Sequence, residues 1–168
     1  MLAIILITVG ILLRLAPHAP NFTPVAAIAL FGGAYLKKRY ALIVPLALMI
    51  VSDMFIGMHD IFLFTWAGFI LTAILGFWVR KQNNVTRIAC ASLLSSLAFF
   101  VISNFGVWVM GWYPRTLSGL INCYIMAIPF LRDFTISTML YTAVFFGSYE
   151  FIANSVKDTK VAKVLLKD

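Results

Sequence analysis

Charge is what this chain of 168 residues has least of. Only 11% of its residues are Asp, Glu, Lys or Arg, and six of those are acidic. An ordinary soluble domain carries roughly 25% charged residues to keep its surface in water. The shortfall excludes a soluble globular domain, and the 62% of hydrophobic residues excludes a disordered chain. Two cysteines, Cys90 and Cys123, are too few for a disulfide scaffold and lack the spacing of a metal site. Two histidines leave little material for metal or acid–base chemistry. Nor is there a His-Glu-x-x-His, a Gly-x-Ser-x-Gly, a P-loop or another phosphate-binding glycine pattern. No catalytic residue, cofactor or metal is expected, and the chain reads as a non-enzyme.

What is present is apolar sequence in long runs. Seven segments stand out: Met1–Leu15, Pro24–Leu36, Tyr40–Gly57, Ile61–Val79, Ile88–Met110, Thr116–Leu131 and Phe134–Ile152. A helix needs about 20 residues to cross a bilayer, within a range of about 17–25. The third, fourth, fifth and seventh reach that length. The first, second and sixth are short and are bordered by prolines. No basic stretch precedes the apolar run that starts at Met1, so the first segment is expected to be retained rather than cleaved as a signal.

The net charge of +7 would suggest nucleic acid in a soluble protein. Here its placement argues for a membrane instead. Ten of the thirteen Lys and Arg residues fall in three clusters: Lys37–Arg39, Arg80–Lys81 with Arg87, and Lys157, Lys160, Lys163 and Lys167. The positive-inside rule puts all three on the cytoplasmic side. That requires the first five segments and the seventh to cross, and the sixth to lie at the outer face. The expected fold is therefore an all-α integral membrane protein in one domain, 1–168. Its spans are about 1–15, 24–36, 40–57, 61–79, 88–110 and 134–152, with a short non-spanning outer-face helix at 116–131 and both termini cytoplasmic. A re-entrant hairpin of the first two segments has the same charge parity and is the alternative.

With this topology the remaining polar residues gather on one face. Arg14, His18, Asn21 and Thr23 surround the first outer loop, and Asp53, His59 and Asp60 the second. Ser103, Asn104, Trp108, Trp112, Tyr113 and Arg115 surround the third, with Cys123 and Tyr124 just beyond. Ionisable groups are expensive in a membrane and mark sites or pathways. Each has a plainer reading as well. Asp53 lies near a helix end, and Arg14 either snorkels or pairs with Asp53 or Asp133. Trp108 fits an aromatic belt, and Asn104 is either interhelical glue or a ligand contact. Cys123 reads as a buried thiol. Ala29 and Gly33 give a small-xxx-small spacing, which serves internal packing or docking of a membrane partner.

The run Pro20-Asn21-Phe22-Thr23-Pro24-Val25-Ala26-Ala27, followed by Ala29-Leu30-Phe31-Gly32-Gly33-Ala34-Tyr35, carries a resemblance. With Val44-Pro45-Leu46, Ser52-Asp53, Gly57-x-His59, Ser103-Asn104-Phe105-Gly106-Val107-Trp108 and Ala127-Ile128-Pro129-Phe130, it resembles an uncharacterised family of small bacterial membrane proteins. That family is similar, more distantly, to the substrate-binding S components of energy-coupling-factor (ECF) vitamin transporters. The resemblance implies six helices, a bacterial inner-membrane location and a small-molecule pocket formed by outer loops. It also implies docking on a membrane coupling subunit with ATPases. S components dock through an AxxxA face of the first helix, but here Ala3 is followed by Ile7, so either Ala29 and Gly33 of the second helix substitute or the protein works alone. Some solitary relatives handle cobalamin through a cysteine, which would make Cys123 a cobalt ligand.

These readings lead to a membrane substrate-binding or transport protein that takes up a small vitamin-like molecule. Asn21, Asp53, His59, Asn104, Trp108 and Tyr124 are its candidate substrate-binding residues. The alternative is a small structural or assembly subunit in which the same polar groups only bind helices together.

Overall fold

The computed structural model describes residues 2–17 and 19–156. His18 and the basic cluster Lys157–Lys167 lie outside the described residues, so the charge parity drawn from that tail does too. The described chain folds into six helices and no strand: α1 (Leu2–Leu15), α2 (Val25–Tyr35), α3 (Lys38–Ile56), α4 (Phe62–Lys81), α5 (Val85–Val109) and α6 (Leu117–Val156). Of these, α3, α4, α5 and α6 are long and apolar enough to cross a membrane, and α1 and α2 are shorter apolar helices. The composition and these four helices together describe a multi-pass membrane protein.

The helix α2 is the hub. Every residue from Val25 to Ala34 is buried, because α3, α4 and α6 pack around it, with α1 and α5 touching it more lightly. Small residues make this packing possible. A Cβ on Gly33 would run into the Ala73 carbonyl oxygen and the Gly76 backbone, and one on Gly76 would meet Leu30 and Gly33 in return. The helices α2 and α4 therefore cross backbone to backbone, as small residues allow in apolar surroundings.

The C-terminus of α2 leaves carbonyls without intrahelical partners. Arg80, in the last turn of α4, supplies them. Its Nε donates to the carbonyls of Gly33 (3.0 Å) and Ala34 (3.1 Å), and its Nη2 donates to those of Gly33 and Leu36. A cation there also opposes the negative end of the helix dipole. Next to this cap, Asn83 Nδ2 and the Tyr35 hydroxyl both donate to Glu150 Oε1, at 2.8 and 2.7 Å. These contacts bring the ends of α2, α4 and α6 together at one end of the bundle, here termed the basic end. The opposite, distal end carries residues 16–24, 57–61 and 110–116.

One element differs from the sequence expectation. Segments 116–131 and 134–152 are not a short outer helix and a separate span. They form a single helix, α6, of 40 residues that runs through Pro129, about 60 Å at 1.5 Å per residue. Proline removes one N–H and crowds the preceding turn, but apolar helices absorb this when neighbours and adjusted backbone satisfy the freed groups. Pro45 sits inside α3 in the same way.

Candidate functional site

At the distal end the chain holds two buried charges. The Arg14 guanidinium lies 2.8 Å from Asp53 Oδ1, with side-chain exposures of 13% and 0%. It also donates to Ser52 Oγ, which in turn donates to the Leu48 carbonyl at 2.7 Å. Trp66 Nε1 donates to the other Asp53 oxygen at 3.0 Å. Charge is tolerable in this interior only because it is paired and hydrogen-bonded. Asp53 thus ties α1, α3 and α4 together, and of the partners open to Arg14 the structure selects Asp53 over Asp133. Asp133 pairs with its neighbour Arg132 at 3.1 Å on the exposed side of α6.

Beside this clamp are two adjoining cavities. The larger, about 350 Å³, lies between the start of α4 and the distal halves of α5 and α6. Its walls are aromatic: Phe99, Phe100, Phe130 and Phe134, with Trp112 and Tyr113 from the α5–α6 connection. Its polar lining is uncharged, from Asn21, Thr65, Ser103 and Asn104, and Cys123 reaches it from α6. The smaller cavity, about 270 Å³, is lined by Arg14, Thr23 and His59. Asn21, Ile61, Thr65, Phe99 and Phe134 line both, so the two are lobes of one space.

Three features shape it. Phe99 and Phe134 stack at 4.4 Å between ring centroids, and Phe69 packs on both. Asn21 sits at φ 60°, a left-handed conformation that asparagine enters more readily than most residues. Its carbonyl accepts from Ser137 of α6 at 3.4 Å, which brings the loop before α2 against the middle of α6. The α5–α6 connection is closed by Trp108 Nε1 donating to the Pro114 carbonyl (3.0 Å) and Arg115 donating to the Val109 carbonyl (3.0 Å).

The structure therefore brings Asn21, His59, Asn104 and Cys123 to the cavity walls. Asp53 stands apart, held by Arg14 and Trp66. Trp108 and Tyr124 are not among the lining residues. Tyr124 donates instead to the Val101 carbonyl at 2.8 Å and fastens α6 to α5. Cys123 is 2% exposed and its thiol donates to the Asn104 carbonyl at 3.4 Å. Ala29 is fully buried, and Gly33 meets Gly76 inside the bundle, so both serve internal packing. Among the described residues no three of His, Cys, Asp and Glu converge as metal ligands would.

The sequence does not single out Phe99 or Phe134 as site residues, and Phe130 stands out only as the end of the Ala127-Ile128-Pro129-Phe130 run. No local signal distinguishes a phenylalanine facing a cavity from one facing lipid. Thr65 and Ser103 carried a weak one, as polar residues near helix ends at the distal face.

Fold and site together define a helical membrane protein with a two-lobed internal cavity at one end of its bundle. The chain belongs to a family of unknown function, DUF6580, whose model matches residues 1–161. Neither a curated protein nor a solved structure matches it.

Proposed function

We propose that the chain is a membrane substrate-binding or transport protein, similar in manner to an S component, that takes up a small vitamin-like molecule. The observation that carries this reading is the cavity itself. It adjoins a second lobe, has aromatic walls and a few convergent polar groups, and sits at the end of a helical bundle. That combination is how small-molecule sites are built. A volume of about 350 Å³ lies within the usual range of about 300–1,000 Å³.

In this reading the helices cross six times with the basic end cytoplasmic, in a bacterial inner membrane, and the cavity opens to the other side. The basic residues of the described chain support that orientation: Lys37, Lys38, Arg39, Lys81 and Arg87 lie at or beyond helix ends on one side. The structure alters the partner proposal. A coupling subunit with ATPases would dock on a surface other than α2, whose small residues are spent inside. A cobalt-ligating role for Cys123 would require the thiol to leave the Asn104 carbonyl.

The structural-subunit reading draws on a different observation, the Arg14–Asp53–Trp66 clamp, whose polar groups join helices and line little. The two readings part at Asn104. Purified chain in detergent is examined by mass spectrometry for a co-purifying small molecule, then by thermal unfolding against a vitamin panel. A ligand at about 100 times Kd stabilises by about 2.7 kcal/mol, which raises the midpoint by about 5–10 °C in a chain of this size. Asn104→Ala folding normally while abolishing that rise supports the binding protein. No co-purifying molecule and no rise with any member of the panel favours the subunit.

A further inference from the structure

The chemistry of the cavity wall narrows what it accepts. This step rests on the reading of the cavity as a ligand site. Among the described residues no Lys, Arg, His, Asp or Glu lines the larger lobe, so a formal charge placed there would lose its water and gain no counter-ion from them. Arg14 lines the second lobe, and its charge is offset by Asp53 at 2.8 Å. The site therefore selects an uncharged occupant.

The hydrogen bonds decide which polar groups the occupant carries. Thr65 Oγ1 donates to the Phe62 carbonyl at 2.9 Å, and Ser103 Oγ donates to the Phe100 carbonyl at 3.5 Å. Each hydroxyl turns its hydrogen back on its own helix and keeps lone pairs for the cavity. Asn104 Nδ2 donates to the Phe100 carbonyl at 2.8 Å, which fixes the orientation of the amide and leaves Oδ1 without a described donor. Asn104 Oδ1, Ser103 Oγ and Thr65 Oγ1 thus form a group of acceptors on the α4 and α5 side of the cavity, with the Trp112 and Tyr113 side chains lining it from the α5–α6 connection. In the second lobe, His59 Nδ1 is buried with no described hydrogen-bond partner, and a buried ring nitrogen in that state calls for one. Aromatic side chains on several sides favour a flat ring among them.

We infer that the cavity takes a neutral, flat-ringed molecule that donates hydrogen bonds from its edge, through a carboxamide, ring N–H or hydroxyl group, and excludes the corresponding carboxylate. The ring lies among Phe100, Phe130 and the Phe99–Phe134 stack. Its donors meet Asn104 Oδ1, Ser103 Oγ and Thr65 Oγ1, and its far end reaches His59.

A matched pair of probes tests this: 2-naphthamide and 2-naphthoate share one flat ring and differ in whether the edge donates or carries charge. Titration calorimetry of each into the purified full chain is expected to give binding of the amide about tenfold or more tighter than the acid. Asn104→Leu, which keeps the volume and removes the acceptor, is expected to lower amide affinity about tenfold. Ser103→Ala gives an independent reading in the same direction should the first variant not fold. Tighter binding of naphthoate overturns the neutral-donor assignment and leaves the binding protein standing. Amide binding unaffected by either substitution overturns the assignment of these acceptors. Neither probe binding, with no flat-ringed molecule co-purifying, overturns this inference; the proposed function falls with it only where no small molecule of any kind co-purifies and no member of the vitamin panel raises the midpoint.

Discussion

Replacing Asp53 with alanine is expected to destabilise the fold by about 3–5 kcal/mol, the cost of stranding a buried charge. The carboxylate is 0% exposed, and the guanidinium it faces at 2.8 Å is only 13% exposed. Removing it leaves Arg14 in a helical interior beside a tryptophan N–H that has lost its acceptor. The second ion pair of the chain is an internal control. Arg132 and Asp133 lie 3.1 Å apart, but their side chains are 75% and 34% exposed, and such a pair contributes about 0–1 kcal/mol. Asp133→Ala should therefore be close to neutral. A third variant separates stranding from packing: Arg14→Met with Asp53→Leu removes both charges, and stability should recover most of the loss, because a buried pair contributes little net. The assay is reversible unfolding in mixed micelles titrated with sodium dodecyl sulfate, followed by circular dichroism. Equal costs for Asp53→Ala and Asp133→Ala would refute the reasoning. So would a double variant as unstable as the sum of its single changes.

Three further outcomes follow from the packing. Gly33→Leu or Gly76→Leu forces a side chain into opposing backbone and should cost at least about 1–3 kcal/mol in the same titration, whereas Gly147→Ala, with open space around it, should not. Arg80→Ala uncaps the carbonyls of α2 and should cost about 1–3 kcal/mol; Arg80→Lys recovers only part of that, since lysine lacks the planar fork. Tyr124→Phe loses one hydrogen bond to Val101, worth about 1 kcal/mol, and leaves ligand-induced thermal stabilisation unchanged, because Tyr124 fastens helices and lines neither lobe of the site.

The helices were largely legible because apolar length alone marks them. Segments 40–57, 61–79 and 88–110 correspond within a few residues to α3, α4 and α5. The one fusion, α6, was hidden by Pro129 and the Arg132–Asp133 pair. In water Pro129 would break a helix and the charged pair interrupts the apolar run, but here Pro129 lies within a helix and the pair sits on its exposed side. At the site, Asn21, His59 and Asn104 announced themselves by being polar in apolar company. Phe99 and Phe134 did not, since their meaning depends on which way a helix turns. Arg80 misled in an instructive way. It stood in a basic cluster that hydropathy reads as a membrane boundary, yet its guanidinium caps α2.

The burial of α2 has a consequence for counting. Its residues are apolar because other helices surround them, and its surface from Val25 to Ala34 meets protein on every side. For such a helix the solvent is the rest of the chain, and bilayer thickness sets no lower limit on its length. Eleven residues, about 16 Å, are enough when the C-terminal carbonyls are satisfied by an arginine rather than by headgroups. The number of hydrophobic stretches in this chain is thus not a tally of contacts with lipid. A change in α2 should be felt as a change in the grip of α4 on the bundle and of the walls around the cavity.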